Sequence, residues 1–181
     1  EVHFRYDRYR TAIGPKTFKE EIMPATGMQY DLGPHLLDQA IALFGKPLRF
    51  YKVLGKNRKG TKVDDFFSIH LSYPNSVNVY VTGNMLVTDI QPAFVLYGET
   101  GSYIKNHADV QEEQLLKGMK PLDNTFGIEE SGQEGRLTVI DEEGQKTQSQ
   151  VPAEKGRYID LFEAVYQSLT NGTAYPVKEE Q

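Results

Sequence analysis

The segments between residues 49 and 105 read as a succession of short strands separated by turn residues, and no helical pattern interrupts them. Parallel strands need a long crossover, usually a helix, whereas antiparallel strands can follow one another through short turns. The run therefore predicts a mainly antiparallel sheet. Its segments are RFYKVLGK (49–56), DFFSIHLSYP (65–74), SVNVYVTGNML (76–86) and AFVLYGETGSYIK (93–105), the last holding two short strands.

Helical patterns lie on both sides of this run. Residues 27–45 read as an apolar helix, and residues 156–172 carry apolar side chains at helical spacing. The remaining predictions are a strand over 1–11, a short helix over 113–121, a loop over 118–135 and a hairpin over 135–152. The order lacks βαβ alternation, so we predict an α+β fold: an open, mainly antiparallel (mixed) β-sheet with helices packed on one face. The other sheet face mixes polar and apolar side chains, which suits an interface.

The composition limits the kinds of partner. A chain of 181 residues can bury a core as a single domain. A net charge of −5 disfavours a nucleic-acid surface, which needs a basic stripe. No run of about 18 apolar residues predicts a membrane span, and a chain without cysteine fits a reducing, cytoplasmic location. Both termini fall inside predicted elements, so we expect residues 1–181 to be one domain of a longer protein.

Three titratable residues share one line on the first predicted helix. With about 100° of rotation per residue, Asp31, His35 and Asp38 fall on a narrow stripe opposite the leucines of that helix. The stripe is either a salt-linked structural seam or an acid/base pair, in which a carboxylate orients an imidazole that carries protons near neutral pH. A metal site would need a third ligand, and because no spacing demands one we predict no metal. The candidates for that ligand are His3, His70 and His107.

The start of this helix is ambiguous from the sequence. Thr26 and Gln29 match a capping box. Pro34 would then lie several residues inside the helix, where its ring clashes with the carbonyl of Tyr30. The helix is therefore either kinked in its first turn or regular only from about Gly33, a residue without a side chain that a ligand can approach closely.

Four stretches, in register along nearly the whole chain, carry a family resemblance. They are FRYDRYR (4–10), YDLGPHLLDQAIALFGKP (30–47), YGETGSYIKNHADVQEEQL (97–115) and GRYIDLFEAVYQSLTNGTAYPV (156–177). The second resembles the D-x-G-x-H-x-x-D segment of the Gfo/Idh/MocA oxidoreductases, the glucose–fructose oxidoreductase and inositol dehydrogenase type. The other three resemble a strand, a loop motif and the closing helix of the C-terminal domain of that family. The chain is thus similar to such a C-terminal domain.

The resemblance implies one half of an NAD(P)-dependent oxidoreductase that acts on a sugar, polyol or related hydroxylated substrate. His35 would take the proton of the substrate hydroxyl, and Asp31 would bind a neighbouring hydroxyl or orient His35. The predicted substrate contacts are Tyr6, Arg8, Arg10, Gly33, Asp38 and Lys105. Among these, Asp38 also fits a structural role, the arginines also fit solvated edge charges, and Lys105 also fits loop fixing. The implied partners are an N-terminal Rossmann domain outside this chain and a second copy, in a homodimer or higher homo-oligomer through the sheet face.

The cofactor, NAD or NADP, is expected to bind the other half. The glycine-containing stretches GETG (98–101), GKNRKGTK (55–62) and GQEG (132–135) lack the spacing or the strand-to-helix context of a phosphate-binding turn. We therefore expect no cofactor site in this chain and no hydride transfer by the chain alone, because catalysis needs cofactor and substrate in contact. The alternative is a non-catalytic ligand-binding or oligomerisation module of the same fold.

Overall fold

The structure, a computed structural model, describes residues 1–106 and 109–177. Within these ranges eight strands form one sheet: β1 (Val2–Asp7), β2 (Arg49–Gly55), β3 (Phe66–Ser72), β4 (Asn78–Asn84), β5 (Phe94–Tyr97), β6 (Gly101–Lys105), β7 (Gly135–Ile140) and β8 (Lys146–Val151). Their spatial order is β2-β3-β4-β1-β5-β6-β7-β8. Each predicted strand segment therefore contains a strand of the sheet.

The first strand lies in the centre of the sheet rather than at its edge. β1 pairs parallel with β4 and antiparallel with β5, and the other neighbours pair antiparallel. The long excursion from β1 through β2 and β3 to β4 makes the single parallel pair possible, because parallel neighbours need a long connection. The prediction of an open, mainly antiparallel mixed sheet is confirmed.

Three α-helices accompany the sheet in the described ranges, α1 (Met28–Phe44), α2 (Gln111–Leu116) and α3 (Ile159–Asn171), with short 3-10 helices at Thr17–Glu20 and Pro74–Ser76. α1 lies across β1, β3 and β4 and buries its apolar side against them. The core residues are Val2, Phe4, Met28, Leu32, Leu36, Ala40, Phe67, Ile69, Leu71, Val79 and Val81. Each large apolar side chain buried there contributes about 1.5–3 kcal/mol, so this contact is what holds α1 in place.

The sheet face opposite α1 carries a column of rings. His3, Tyr80 and His70 lie side by side on β1, β4 and β3, with ring centroids 5.0 Å and 4.6 Å apart and nearly parallel planes. Directly opposite residues of paired strands project to the same face, so Tyr51 of β2, which pairs with His70, belongs to this face as well. Tyr51 is 69% exposed. This face is a flat, aromatic and half-polar surface.

Helix α3 leaves its apolar residues uncovered. Among the described residues, none of its side chains is buried. Its first residues contact α2, where the Tyr158 N–H donates to Gln111 Oε1 over 2.9 Å. The exposed apolar and aromatic residues at and along α3 are Tyr158, Ile159, Leu161, Phe162, Val165, Tyr166 and Leu169. An amphipathic helix of this kind ordinarily buries its apolar stripe against another element.

Candidate functional site

Helix α1 begins at Met28 through a cap that arrives from far along the chain. The Gln29 N–H donates to Asp64 Oδ2 over 2.7 Å, and the Met28 N–H donates to the Asp64 carbonyl over 2.8 Å. Gly27 precedes the helix with φ of 98°, and a Cβ there would overlap the Asp64 carboxylate. The predicted Thr26–Gln29 capping box is wrong, because a carboxylate from the β2–β3 loop satisfies the free N–H groups of the first turn.

The helix then runs without interruption to Phe44, with Pro34 inside it. The predicted alternative of a regular helix that begins near Gly33 is therefore wrong. Gly33 is buried, and a Cβ there would lie 3.9 Å from the Phe67 ring. It faces the sheet, on the side of α1 opposite the polar stripe. Its role in substrate contact stays a prediction, which this placement does not favour.

The polar stripe of α1 is open to solvent. Asp31, His35 and Asp38 are all exposed, which agrees with their predicted positions on one side of the helix. Asp31 forms an ion pair with Lys19 Nζ at 2.5 Å. It lies in the first turn, where the helix dipole favours a negative charge. Within the described ranges His35 has no hydrogen-bonding partner, so its imidazole is available to a ligand rather than held by Asp31.

The end of β1 presents two arginines on one side. The Arg8 guanidinium stacks over the Tyr6 ring, 4.6 Å from its centroid, and donates to the Tyr6 hydroxyl. The backbone N–H groups of Arg8 and Arg10 donate to the carbonyls of Asn84 and Met85, so this segment continues β1 in an extended conformation. Residues two apart on an extended segment project to the same side. Arg8 is half-buried and Arg10 is exposed.

A cleft of about 630 Å³ lies between the end of β1 and the start of α1. Besides apolar side chains, its lining holds nine charged residues: Arg8, Arg10, Lys16, Lys19, Glu20, Asp31, Arg58, Asp64 and Glu112. The cleft therefore brings together three of the predicted site residues, Arg8, Arg10 and Asp31. His35 and Asp38 lie outside its lining, further along the same exposed stripe of α1.

One wall of the cleft is the irregular segment of residues 11–26, held by a buried ionic cluster. Arg58 Nη2 lies 2.7 Å from Glu20 Oε1, and Arg58 Nε lies 3.1 Å from Asp65 Oδ2. Asp65 is 1% exposed and also accepts the N–H groups of Asn57 and Arg58. Burial opposes the charge of Arg58, but the hydrogen bonds and charges of the two carboxylates outweigh it and raise the pKa of the guanidinium. The cluster positions the wall that carries Lys19.

A second group of titratable residues approaches the cleft from α2 and α3. Burial, and after it the charge and hydrogen bond of Asp109, raise the pKa of the Tyr158 hydroxyl, and the charges of Glu112 and Tyr6 act in the same direction. Of these residues Glu112 lines the cleft, whereas Tyr158 lines a separate cavity between α2 and α3. Sequence reasoning assigned no site role to Tyr158, Lys19 or Asp64, and it gave Asp109 and Glu112, in the DVQEEQ run (109–114), only loop fixing or substrate-side hydrogen bonds. They lie far apart in the sequence, and no periodic pattern links them to Asp31.

Lys105 lies away from this cleft. Its ammonium is 6% exposed and contacts Glu129 Oε2 at 2.5 Å and the Gln133 carbonyl at 2.7 Å. Glu129 Oε1 also accepts the Ala153 N–H. These contacts tie β6 to the loop between α2 and β7. They agree with the loop-fixing interpretation, and substrate contact by Lys105 stays a prediction.

Two kinds of site are not found in the described ranges. No three His, Asp or Glu side chains there gather closely enough to hold a metal ion. His3 and His70 lie on the sheet face away from α1, and His107 lies outside the described residues. The glycine stretches at 55–62, 98–101 and 132–135 lie between or before strands, not at a strand-to-helix turn, so they do not form the usual dinucleotide cradle. None of the helices described is both long and apolar enough to cross a membrane.

Known proteins match both the sequence and this architecture. The family model for the GFO/IDH/MocA C-terminal domain matches residues 1–104. The scyllo-inositol 2-dehydrogenase (NADP(+)) IolW of Bacillus subtilis is 31% identical over 97% of this chain and 48% of its own length. The uncharacterised oxidoreductase YdgJ of Escherichia coli is 33% identical over the whole chain and 50% of its own length. The solved structure of YvaA from Bacillus subtilis superposes with a TM-score of 0.90 at 30% identity, covering 99% of this chain and 51% of that one.

These matches identify the class of protein as a domain, built on an open mixed sheet, that is found in proteins named as dehydrogenases or oxidoreductases. The chain belongs to the GFO/IDH/MocA family and corresponds to its C-terminal domain. It spans about half the length of the curated relatives that it matches. The predicted resemblance is confirmed.

Proposed function

We propose that residues 1–181 are the substrate-binding and oligomerisation half of an NAD(P)-dependent oxidoreductase that acts on a sugar, polyol or related hydroxylated substrate. The observation that carries the proposal is the stripe of α1, where Asp31 and an unpartnered His35 stand exposed beside a charged cleft. The relative IolW is named as a scyllo-inositol 2-dehydrogenase (NADP(+)), which supports a polyol-like substrate and a nicotinamide cofactor.

The proposed roles follow from placement. The His35 imidazole accepts the proton of the substrate hydroxyl, since an imidazole exchanges protons near neutral pH. Asp31, paired with Lys19 at the cleft edge, accepts a hydrogen bond from a second substrate hydroxyl, while Tyr6, Arg8 and Arg10 contact the far end. When bound, the nicotinamide supplies hydride acceptance. Because the glycine stretches of this chain do not form a dinucleotide cradle, that group belongs to the proposed N-terminal half.

The exposed apolar side of α3 supports the proposed contact with that half. Tyr166 and Phe162 are 58% and 66% exposed. Beside the first turn of α3, a cavity of about 470 Å³ opens between α3, α2 and the loop at 121–126. The relatives have about as much further chain as this one contains, which is enough for a second domain to cover α3.

The open sheet face is the proposed surface for a second copy of the chain. It is flat, and its exposed aromatic residues, with the ring column of His3, Tyr80 and His70, are typical of interface cores. A homodimer or higher homo-oligomer would cover it by a two-fold contact. The cytoplasmic location stays a prediction.

The test compares the 181-residue chain with the full-length protein that contains it. NADH and NADPH binding are followed by fluorescence, and turnover is followed by cofactor absorbance with scyllo-inositol and related polyols. We expect only the full-length protein to bind the cofactor and to turn over a substrate. His35→Gln should lower kcat by about 10²–10⁴-fold, the usual contribution of a general base. Glu143→Gln, in the exposed turn between β7 and β8, is the control and should leave kcat unchanged.

A full-length protein that binds neither cofactor would contradict this proposal. The outcome would favour the second candidate, a non-catalytic ligand-binding or oligomerisation module of the same fold. Asp31 with His35 would then be part of a structural seam.

A further inference from the structure

We propose that the substrate carries an anionic group, a carboxylate or a phosphate, which Arg8 and Arg10 bind at the end of β1. The inference rests on the proposed function and specifies the substrate class of the same cleft. The starting observation is a contrast of charge. The whole chain has a net charge of −5, whereas the lining of the cleft holds five cations and four carboxylates.

Three of the four carboxylates in the lining are already engaged. Asp31 pairs with Lys19, Glu20 pairs with Arg58, and Asp64 caps α1. The fourth, Glu112, forms no ion pair or hydrogen bond among residues 1–106 and 109–177. Within the same ranges neither Arg8 nor Arg10 forms an ion pair with a carboxylate. The two guanidinium groups at the end of β1 therefore have no carboxylate partner in the described part of the chain.

Arg8 is prepared for a ligand rather than free in solvent. Arg8 is half-buried, and its guanidinium lies over the Tyr6 ring and donates a hydrogen bond to the Tyr6 hydroxyl. That bond uses one of the five N–H donors of the group. A fixed guanidinium fork matches the paired oxygens of a carboxylate or a phosphate and loses little conformational entropy when it binds them. Arg10, two residues further along the same extended segment, lines the same cleft.

The experiment measures binding of three probes to the full-length protein by calorimetry. D-glucose is the neutral probe, D-glucuronate carries a carboxylate and D-glucose 6-phosphate carries a phosphate. We expect at least one anionic probe to bind about tenfold or more tightly than D-glucose, as a charge-assisted bidentate contact provides. The comparison of the two anions distinguishes a carboxylate site from a phosphate site.

Substitutions of the two arginines test whether they bind the anionic group of the probe. Arg8→Lys keeps the charge but removes the fork, and Arg10→Gln removes a charge without disturbing the stack on Tyr6. Each should weaken binding of the anionic probe about tenfold more than it weakens binding of D-glucose, whereas Arg49→Gln, at the exposed start of β2, should affect neither probe. The proposal is overturned if D-glucose binds as tightly as the anions, if no anion binds up to about 50 mM, or if neither cleft variant weakens binding. Cofactor binding, measured separately, decides the proposed function independently.

Discussion

The neighbouring glutamates 20 and 21 allow a direct comparison of a buried and an exposed ion pair in the wall of the cleft. Glu20 pairs with Arg58, and their side chains are 15% and 7% exposed. Glu21 pairs with Lys62, and theirs are 53% and 54% exposed. We predict that Glu20→Ala destabilises the protein far more than Glu21→Ala does.

The magnitudes follow from what each change leaves behind. Removing one partner of a buried pair costs about 3–5 kcal/mol, because the remaining charge stays buried without compensation. Asp65 still contacts Arg58 Nε at 3.1 Å, so we expect the lower end for Glu20→Ala, about 3 kcal/mol. The exposed pair of Glu21 contributes about 0–1 kcal/mol. For a domain of this size about 1 kcal/mol moves the unfolding midpoint by about 2–4 °C, so the expected losses are about 6–12 °C and at most about 4 °C.

Thermal unfolding by circular dichroism and urea titration measure the two losses. High salt separates them further, because it screens the exposed pair but hardly affects the buried one. Hydrogen exchange over residues 11–26 shows whether the loss is local to the cleft wall or global. Equal losses for the two variants, or a loss below about 1 kcal/mol for Glu20→Ala, would refute the assignment of Glu20, Arg58 and Asp65 as the cluster that holds this wall.

Two further predictions concern the sheet. Gly83→Ala should cost about 1–3 kcal/mol by overpacking, since its Cβ would lie 2.8 Å from Phe67 Cζ and 2.9 Å from Met28 Cε; urea titration measures this, and an unchanged midpoint would contradict the packing. Burial raises the pKa of Asp7, one of whose carboxylate oxygens is buried without a hydrogen bond. The folded state therefore binds this proton more tightly than the unfolded state, and stability falls as pH rises from the ordinary aspartate pKa through the raised one. Asp7→Asn removes that loss, so its free energy of unfolding should exceed that of the wild type by more at pH 7 than at pH 4. A difference independent of pH would show that Asp7 does not titrate in this way.

Much of the local structure was predictable from periodicity. Short strand-like segments over 49–105 placed the strands within a few residues. In β3 and β4 every second side chain is buried, because alternate residues of a strand point to opposite faces of the sheet. The narrow stripe of Asp31, His35 and Asp38 followed from helical rotation alone. The family resemblance rested on short motifs whose residues are adjacent in sequence, such as the DLGPH segment.

Contacts between distant residues were not predictable in this way. Asp31 shares the predicted stripe with His35 but forms its ion pair with Lys19, and the cap of α1 comes from Asp64, 35 residues beyond Gln29. The predicted capping box was wrong because a local sequence pattern carries no information about a competing carboxylate from another loop.

The order of strands and helices, the apolar side of α1 and the family could be inferred without coordinates, since they depend on side-chain periodicity and on contiguous motifs. The position of β1 between β4 and β5 could not. It brings the end of β1, with Arg8 and Arg10, into one cleft with the start of α1 and the wall held by Arg58. Ion pairs and caps act over a few ångströms in space, whatever the separation along the chain, and the packing of α1 on the sheet sets those distances.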